Sequence, residues 1–380
     1  MLTGCANRSA RFIKGTLVLW AAACGLSVAN SGYAADAAVA PKDGRIGYAL
    51  SYLFFAMYQS PDPKDDCPHG YNIGPRGQFT ALFPPGKPHT LVESQLSQEI
   101  KTWHPDGTPD AFSFYEPVGN KAYGLNLDGK VGPNDYVSPE GEAGIDNQLF
   151  RALGCIIGWR GPDGVEFVFD NKAIVDRRFN RLMIELSNVK SLRNDDDVTV
   201  TVYRGLDRLL TDATGNNFIA GGSQRIDTRW GRSLIRRMKG RIRDGILTTD
   251  PIKDLVIPWM GFEIPTYQVV KDMRLRLKLT PTGAEGLIAG YEDVDAFYHW
   301  LIRDDSTHHL SNGDTSAISL YKELRARADA YPDPKTGANT AISSALKAKF
   351  IQVNIDPLTD SQKAQLQGTD VAALRGPRTD

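Results

Sequence analysis

From Gly164 onward the apolar positions recur at every second residue. Leu182, Ile184 and Leu186 alternate with Met183, Glu185 and Ser187, and Val198, Val200 and Val202 with Thr199, Thr201 and Tyr203. Successive side chains of a strand point to opposite faces, so this period predicts half-buried strands. Asp244-Gly245, flanked by Arg241-Ile242-Arg243 and Ile246-Leu247, predicts a tight hairpin, because both residues tolerate positive φ. Leu275, Leu277 and Leu279 alternate with Arg274, Arg276 and Lys278; residues 287–291 are the expected antiparallel partner across a turn at 281–283. Strands follow strands through short turns. The expectation is a mainly β, α+β protein: an antiparallel β-sandwich core with flanking helices.

Helical spacing is confined to a few stretches. Ile145, Leu149 and Leu153 share a face, and Gly154 is placed to end that helix. Thr90-Leu91-Val92-Glu93 is a capping box ahead of Leu96, Ile100 and Trp103. Residues 295–304, 315–331 and 339–350 read as three further helices, the second stopped by Pro332 and Pro334. Residues 46–58 are apolar on all sides, and their period does not separate a buried helix from a strand. Beyond Asp356 the chain is polar and aperiodic and reads as a disordered tail, 356–380.

The first residues change the picture. Arg8, Arg11 and Lys14 precede an apolar run at 17–29, and Gly32, Tyr33 and Ala34 supply a cleavage site. This predicts a signal peptide at 1–34, too short for an anchor that needs ~20 apolar residues. The expected location is the periplasm or outside the cell. The alternative is an outer-membrane lipoprotein, through Cys24 behind a poor lipobox or Cys5 behind a better one. No transmembrane segment is expected in the mature chain. The remainder divides into an irregular, helical region with an acidic loop (35–160) and the sandwich with C-terminal helices (161–355), forming one unit. Export leaves Cys67 and Cys155 as an even pair in an oxidising compartment, so a disulfide between them is expected, with two separate buried thiols as the alternative. There is no C-x-x-C-H for haem c, no C-x-x-C, and no nucleotide motif.

The acidic loop is the chemically dense stretch. Against a twelve-residue calcium loop starting at Gly124, the residues Asn126, Asp128, Gly129 and Asp135 fall on the third, fifth, sixth and last positions. Gly124 stands where an aspartate should open the loop, so the full motif fails. Asp146 and Asn147 add oxygen donors, and Glu140 and Glu142 lie nearby. The candidate metal ligands are therefore Asn126, Asp128, Asp135, Asp146 and Asn147, with calcium as the ion; a solvated turn explains the same residues. Asn194-Asp195-Asp196-Asp197 is a polar hairpin loop or a second such cluster.

Net charge is −1, which implies no general affinity for nucleic acid. The arginines do cluster, however. Arg229, Arg232, Arg236 and Arg237 form a candidate anion-binding face, suited in an exported protein to a polyanionic sugar, a lipid phosphate or an acidic envelope partner.

Several motifs together resemble a family of uncharacterised exported proteobacterial proteins. They are YGLNLDG at 123–129, SPEG at 138–141, GIDNQ at 144–148, LGC at 153–155, NDDD at 194–197, residues 240–247, MRLRL at 273–277 and AYPDP at 330–334. Relatives often carry D-L-D-G where this chain has Asn126. The resemblance implies export and one fold across most of the mature chain, and no activity. The functional expectation is a periplasmic binding or interaction protein with a calcium-stiffened loop. The alternatives are a secreted hydrolase of carbohydrate or lipid using carboxylates among Asp128, Asp135, Asp146 and Glu166, and a structural subunit of an envelope complex. No G-x-S-x-G, H-E-x-x-H or P-loop is present, and the sequence assigns no catalytic residue.

Overall fold

The structure, a computed structural model, describes residues 41–72, 85–88, 105, 114–160, 164, 171, 174, 181–228, 235–261, 264–304 and 317–368. The signal-peptide stretch, the capping-box helix, Glu166, Arg229 and Arg232 lie outside the described residues.

Eight antiparallel strands close into a barrel. They are β1 (Arg45–Phe55), β4 (Arg181–Ser187), β5 (Asp195–Gly205), β7 (Arg236–Arg243), β8 (Ile246–Thr249), β10 (Ile264–Thr280), β11 (Gly283–Asp293) and β13 (Asn339–Ile355). Each pairs with the next in that order, and β13 returns to pair with β1, Gly47 opposite Val353 and Phe55 opposite Leu346. Shorter strands lie off this path: β2 (Tyr136–Val137) pairs β3 (Ala143–Ile145), β6 (Gly222–Gln224) and β12 (Ala330–Pro332) pair β13, and β9 (Ile252–Gly261) pairs β10. The helices are α1 (Pro63–Asp66), α2 (Leu149–Leu153), α3 (Val294–Asp304), α4 (Ala317–Arg327) and α5 (Asp360–Gly368).

The expected sandwich is thus corrected to a barrel. A sandwich keeps open edges, whereas the β1–β13 ladder removes them. The closing strand β13 is where the sequence predicted a helix at 339–350. Alternation is hidden there because both faces are buried: Ile342 and Leu346 point into the barrel, while Ala341 and Ala345 lie under an outer segment. The all-apolar stretch at 46–58 resolves as β1, for the same two-sided burial. Bulges help the long strands bend: register shifts at 50–52 of β1 and 271–274 of β10, the latter with Asp272 at φ 49°. The predicted tail is corrected in part, since 360–368 forms α5, with Leu366 buried.

Inside the barrel, Tyr48, Leu50, Ile184, Val200, Leu277, Ile288 and Phe350 are at most 3 % exposed. Eight strands leave room for little beyond such side chains. The fit is close at Gly286 (φ +155°), where an added Cβ would lie 2.1 Å from the Arg276 carbonyl oxygen. Outward positions carry charge instead, as in Arg241, Arg243, Lys278 and Lys349. This is the reverse of strands that face lipid. Among the described residues no helix is long and apolar enough to cross a membrane.

One acid is sealed inside. Glu292 is 1 % exposed, and its Oε1 accepts from Gln268 Nε2 and from Ser344 Oγ at 3.1 Å. Burial pushes its carboxyl from 4.5 up to about 8, against the pull of those two donors. Between these values the unfolded chain has released the proton and the folded chain holds it, so stability falls as pH rises through the window. Glu323, raised to about 7, and Asp146, raised to about 6, act in the same direction. Glu292→Gln is expected to flatten the upper part of this fall. Unfolding free energies measured across the window test it; an unchanged slope in the variant rejects the assignment.

Candidate functional site

The acidic loop packs on the outer wall of β11 and β13. Leu125 and Leu127 alternate inward and are buried against Ala289, Tyr291 and Ala345. Small wall residues let the segment lie close. Its two limbs are tied by the Leu125–Asp146 bridge and the β2–β3 ladder. Gly144 (φ +77°) sits where they meet; an added Cβ would lie 2.5 Å from the Lys130 carbonyl oxygen and 2.6 Å from Asn126 Nδ2.

Each ligand nominated from sequence proves to be engaged by backbone. Asn126 Oδ1 accepts from Gly129 N (2.7 Å), and its Nδ2 donates to Lys130 O (2.7 Å). Asp128 Oδ1 accepts from Lys130 N (2.8 Å), and Asp135 Oδ2 from Gly132 N (2.5 Å). Asp146 Oδ2 accepts from Leu127 N (2.6 Å) and Asp128 N (3.3 Å). Asn147 Nδ2 donates to Tyr123 O (2.7 Å) and Ala56 O (3.4 Å), latching the segment to the barrel. The two asparagines are therefore structural ties. The three aspartates share one field: burial chiefly, then Asp135 and Asp128, push the Asp146 carboxyl to about 6, while the Leu127 and Asp128 amides pull it down.

Two members were not legible from sequence, because they arrive from distant strands. Asp329, between α4 and β12, accepts at Oδ1 from Ser343 N (2.7 Å). Burial raises its carboxyl above the usual range, and the charge of Asp135 adds to this. Tyr291 on β11 is 9 % exposed, and among the described residues its hydroxyl finds no hydrogen-bond partner. Burial raises its phenol, and the charges of Asp146, Asp329 and Asp128 raise it further. Arg274 acts on the same phenol in the opposite sense, and its Nη1 donates to Asn126 O (3.2 Å).

Asp128, Asp135, Asp146 and Asp329 thus each spend one oxygen on a backbone amide. Among the described residues the second oxygens of Asp135 and Asp146 make no hydrogen bond, that of Asp128 has only Lys130 at 4.0 Å, and the Asp329 carboxylate is held also by the Ser343 side chain and its own amide. No three acidic, histidine or cysteine side chains among the described residues converge tightly enough to enclose a metal ion.

The other candidates separate. Asp195 accepts from Lys190 N (2.6 Å), Asp196 pairs with Arg243, and Asp197 pairs with Lys239 (2.6 Å), so the NDDD run is committed within the fold. Arg236 donates to the Asp254 carbonyl (3.3 Å). Only Arg237 of the four nominated arginines is shown exposed on the wall. Cys67 and Cys155 do form a disulfide, with Cα atoms 5.8 Å apart. Glu116 and Glu323 come together from remote positions, but Arg327 clamps both, and the group joins α4 to the 114–118 segment. Comparison with protein-family models, with curated proteins and with solved structures returned no match.

Proposed function

We propose that this is an exported binding module whose acidic loop takes calcium against the barrel wall. The observation that carries it is the loop's set of carboxylates, Asp128, Asp135 and Asp146, each held through a backbone amide, with Asp146, Asp329 and Asp128 all raising the buried Tyr291 phenol. Like charges held together in a partly buried place repel, and a divalent cation relieves that repulsion. Oxygen-only donors suit a hard cation such as calcium, whose coordination tolerates irregular geometry. The cation draws the second oxygens inward, and the loop and wall become one rigid surface. The disulfide fits an oxidising compartment, which supports export.

Thermal unfolding of the oxidised chain in calcium and in excess chelator tests this. A cation that binds only the folded state adds about 2.7 kcal/mol at a hundredfold excess over its Kd. The expected result is a lower midpoint in chelator, restored by calcium. Asp128→Asn, at the exposed lip, is expected to lose the calcium response and keep the chelated midpoint of the parent. Equal midpoints for the parent in both buffers would end the calcium reading.

A further inference from the structure

The register of the barrel builds a second feature beside the acidic loop. On the outer wall Arg241, Thr248, Arg276, Leu287 and Lys347 stand side by side across β7, β8, β10, β11 and β13. The next row is Arg243, Ile246, Lys278, Glu285 and Lys349. Cations thus occupy every second strand in both rows. Columns are two strands apart, roughly 10 Å, and rows two residues apart, roughly 7 Å.

Half of these cations are already engaged. Arg243 pairs with Asp196, Arg276 with Glu142 through both guanidinium nitrogens, and Lys347 lies 3.4 Å from the centre of the Tyr123 ring. Arg241, Lys278 and Lys349 are exposed and, among the described residues, have no ion-pair partner. Lys349 only leans over Tyr52, at 5.6 Å. Glu285 stands between Lys278 and Lys349, so the positive field is broken into separate points.

We infer that this wall, through Arg241, Lys278 and Lys349, binds a linear anionic polysaccharide carrying carboxylates at intervals along its length. The spacing selects the class. A nucleic-acid strand presents a phosphate about every 3.4 Å and rewards a continuous basic track, which Glu285 interrupts. An anionic membrane rewards clustered cations together with inserted apolar side chains. Here Ile246 alone is a large exposed apolar residue between the columns. Separated cations on a flat wall instead match well-spaced carboxylates, and Arg241 offers the fork that suits them. The sequence nominates Arg229, Arg232, Arg236 and Arg237 as the anion-binding face; the exposed cations named here lie further along β7 and on β10 and β13.

The test is retention of the full oxidised chain on immobilised polygalacturonate, with dextran as the neutral control and chelator throughout. Chelator keeps the result separate from the calcium reading. Retention on polygalacturonate alone, released by rising salt, is expected. The combined Arg241→Ser, Lys278→Ser and Lys349→Ser variant is expected to bind roughly tenfold more weakly, the sum of three exposed ion pairs. Lys335→Ser with Lys363→Ser, cations elsewhere on the surface, is expected to bind as the parent does. All three positions are solvent-facing, so a melting curve like the parent's is expected for the triple variant. Equal retention of triple variant and parent overturns the inference. So does retention by phosphatidylglycerol vesicles or single-stranded DNA without retention by polygalacturonate.

Discussion

Replacing Cys67 and Cys155 together with alanine is expected to lower the unfolding free energy by about 4–5 kcal/mol, the largest effect of any change considered. The bridge joins positions 88 residues apart, and a long closed loop removes much freedom from the unfolded chain. It ties the end of α1 to the residues just after α2, so the acidic loop lies inside the covalent ring. The neighbouring backbone depends on the same junction: Asn72 N donates to Cys155 O (2.7 Å) and Val118 N to Asp66 O (2.7 Å). Urea unfolding of parent and double variant, both as purified, measures the difference. A loss under ~1 kcal/mol would mean that the unfolded chain is already restrained without the bridge.

The second large effect is expected at Arg160. Its Nη2 donates to Asp66 Oδ2 (2.8 Å), and its Nη1 to the Gly154 carbonyl (2.6 Å). Both side chains are nearly sealed from solvent, at 7 % and 5 % exposure. Asp66 Oδ2 also accepts from Ser60 N (2.8 Å), so the carboxylate is a hub for three segments. Arg160→Ala strands that carboxylate without its countercharge, which typically costs about 3–5 kcal/mol. Asp66→Asn combined with Arg160→Met removes both charges and is expected to be more stable than the single variant, because no bare charge is left buried. The comparison is made by denaturant unfolding. A double variant less stable than Arg160→Ala would show that hydrogen bonding to Asp66, rather than charge compensation, holds the junction. Because Arg160 also touches the disulfide, its effect and that of the cysteine pair are not expected to add.

The sites differ in how much of them was legible. The disulfide followed from counting cysteines, since the expected signal peptide takes Cys5 and Cys24 and leaves one pair. The acidic loop was visible because Asn, Asp and Gly crowd one short stretch. Its role in tying backbone was not visible, because Asn126 and Asn147 look alike as ligands and as latches. Tyr291 joins that loop through the β11–β13 ladder and Asp329 through Ser343 of β13, so no local signal announced them. The arginine run was noticed as a cluster, yet a strand sends neighbours to opposite faces. Arg236 and Arg237 therefore part company, and the outward cations find company on β10 and β13 instead.

By itself, the sequence determined the local elements wherever apolar residues alternate along the chain with more polar ones. Period-two alternation marked β4, β5, β10 and β11, Asp244-Gly245 marked the β7–β8 turn with φ values of 48° and 80°, and Gly154 closed α2. Tertiary structure alone decided β1, β13 and the closure of the sheet. In β13 the outer face at Ala341 and Ala345 is covered by the acidic loop, which leaves a run of small residues that also fits a helix. Without that strand the sheet has two edges and reads as a sandwich. With it β1 gains its second neighbour, the edges vanish, and the wall that carries both proposed binding surfaces comes into being.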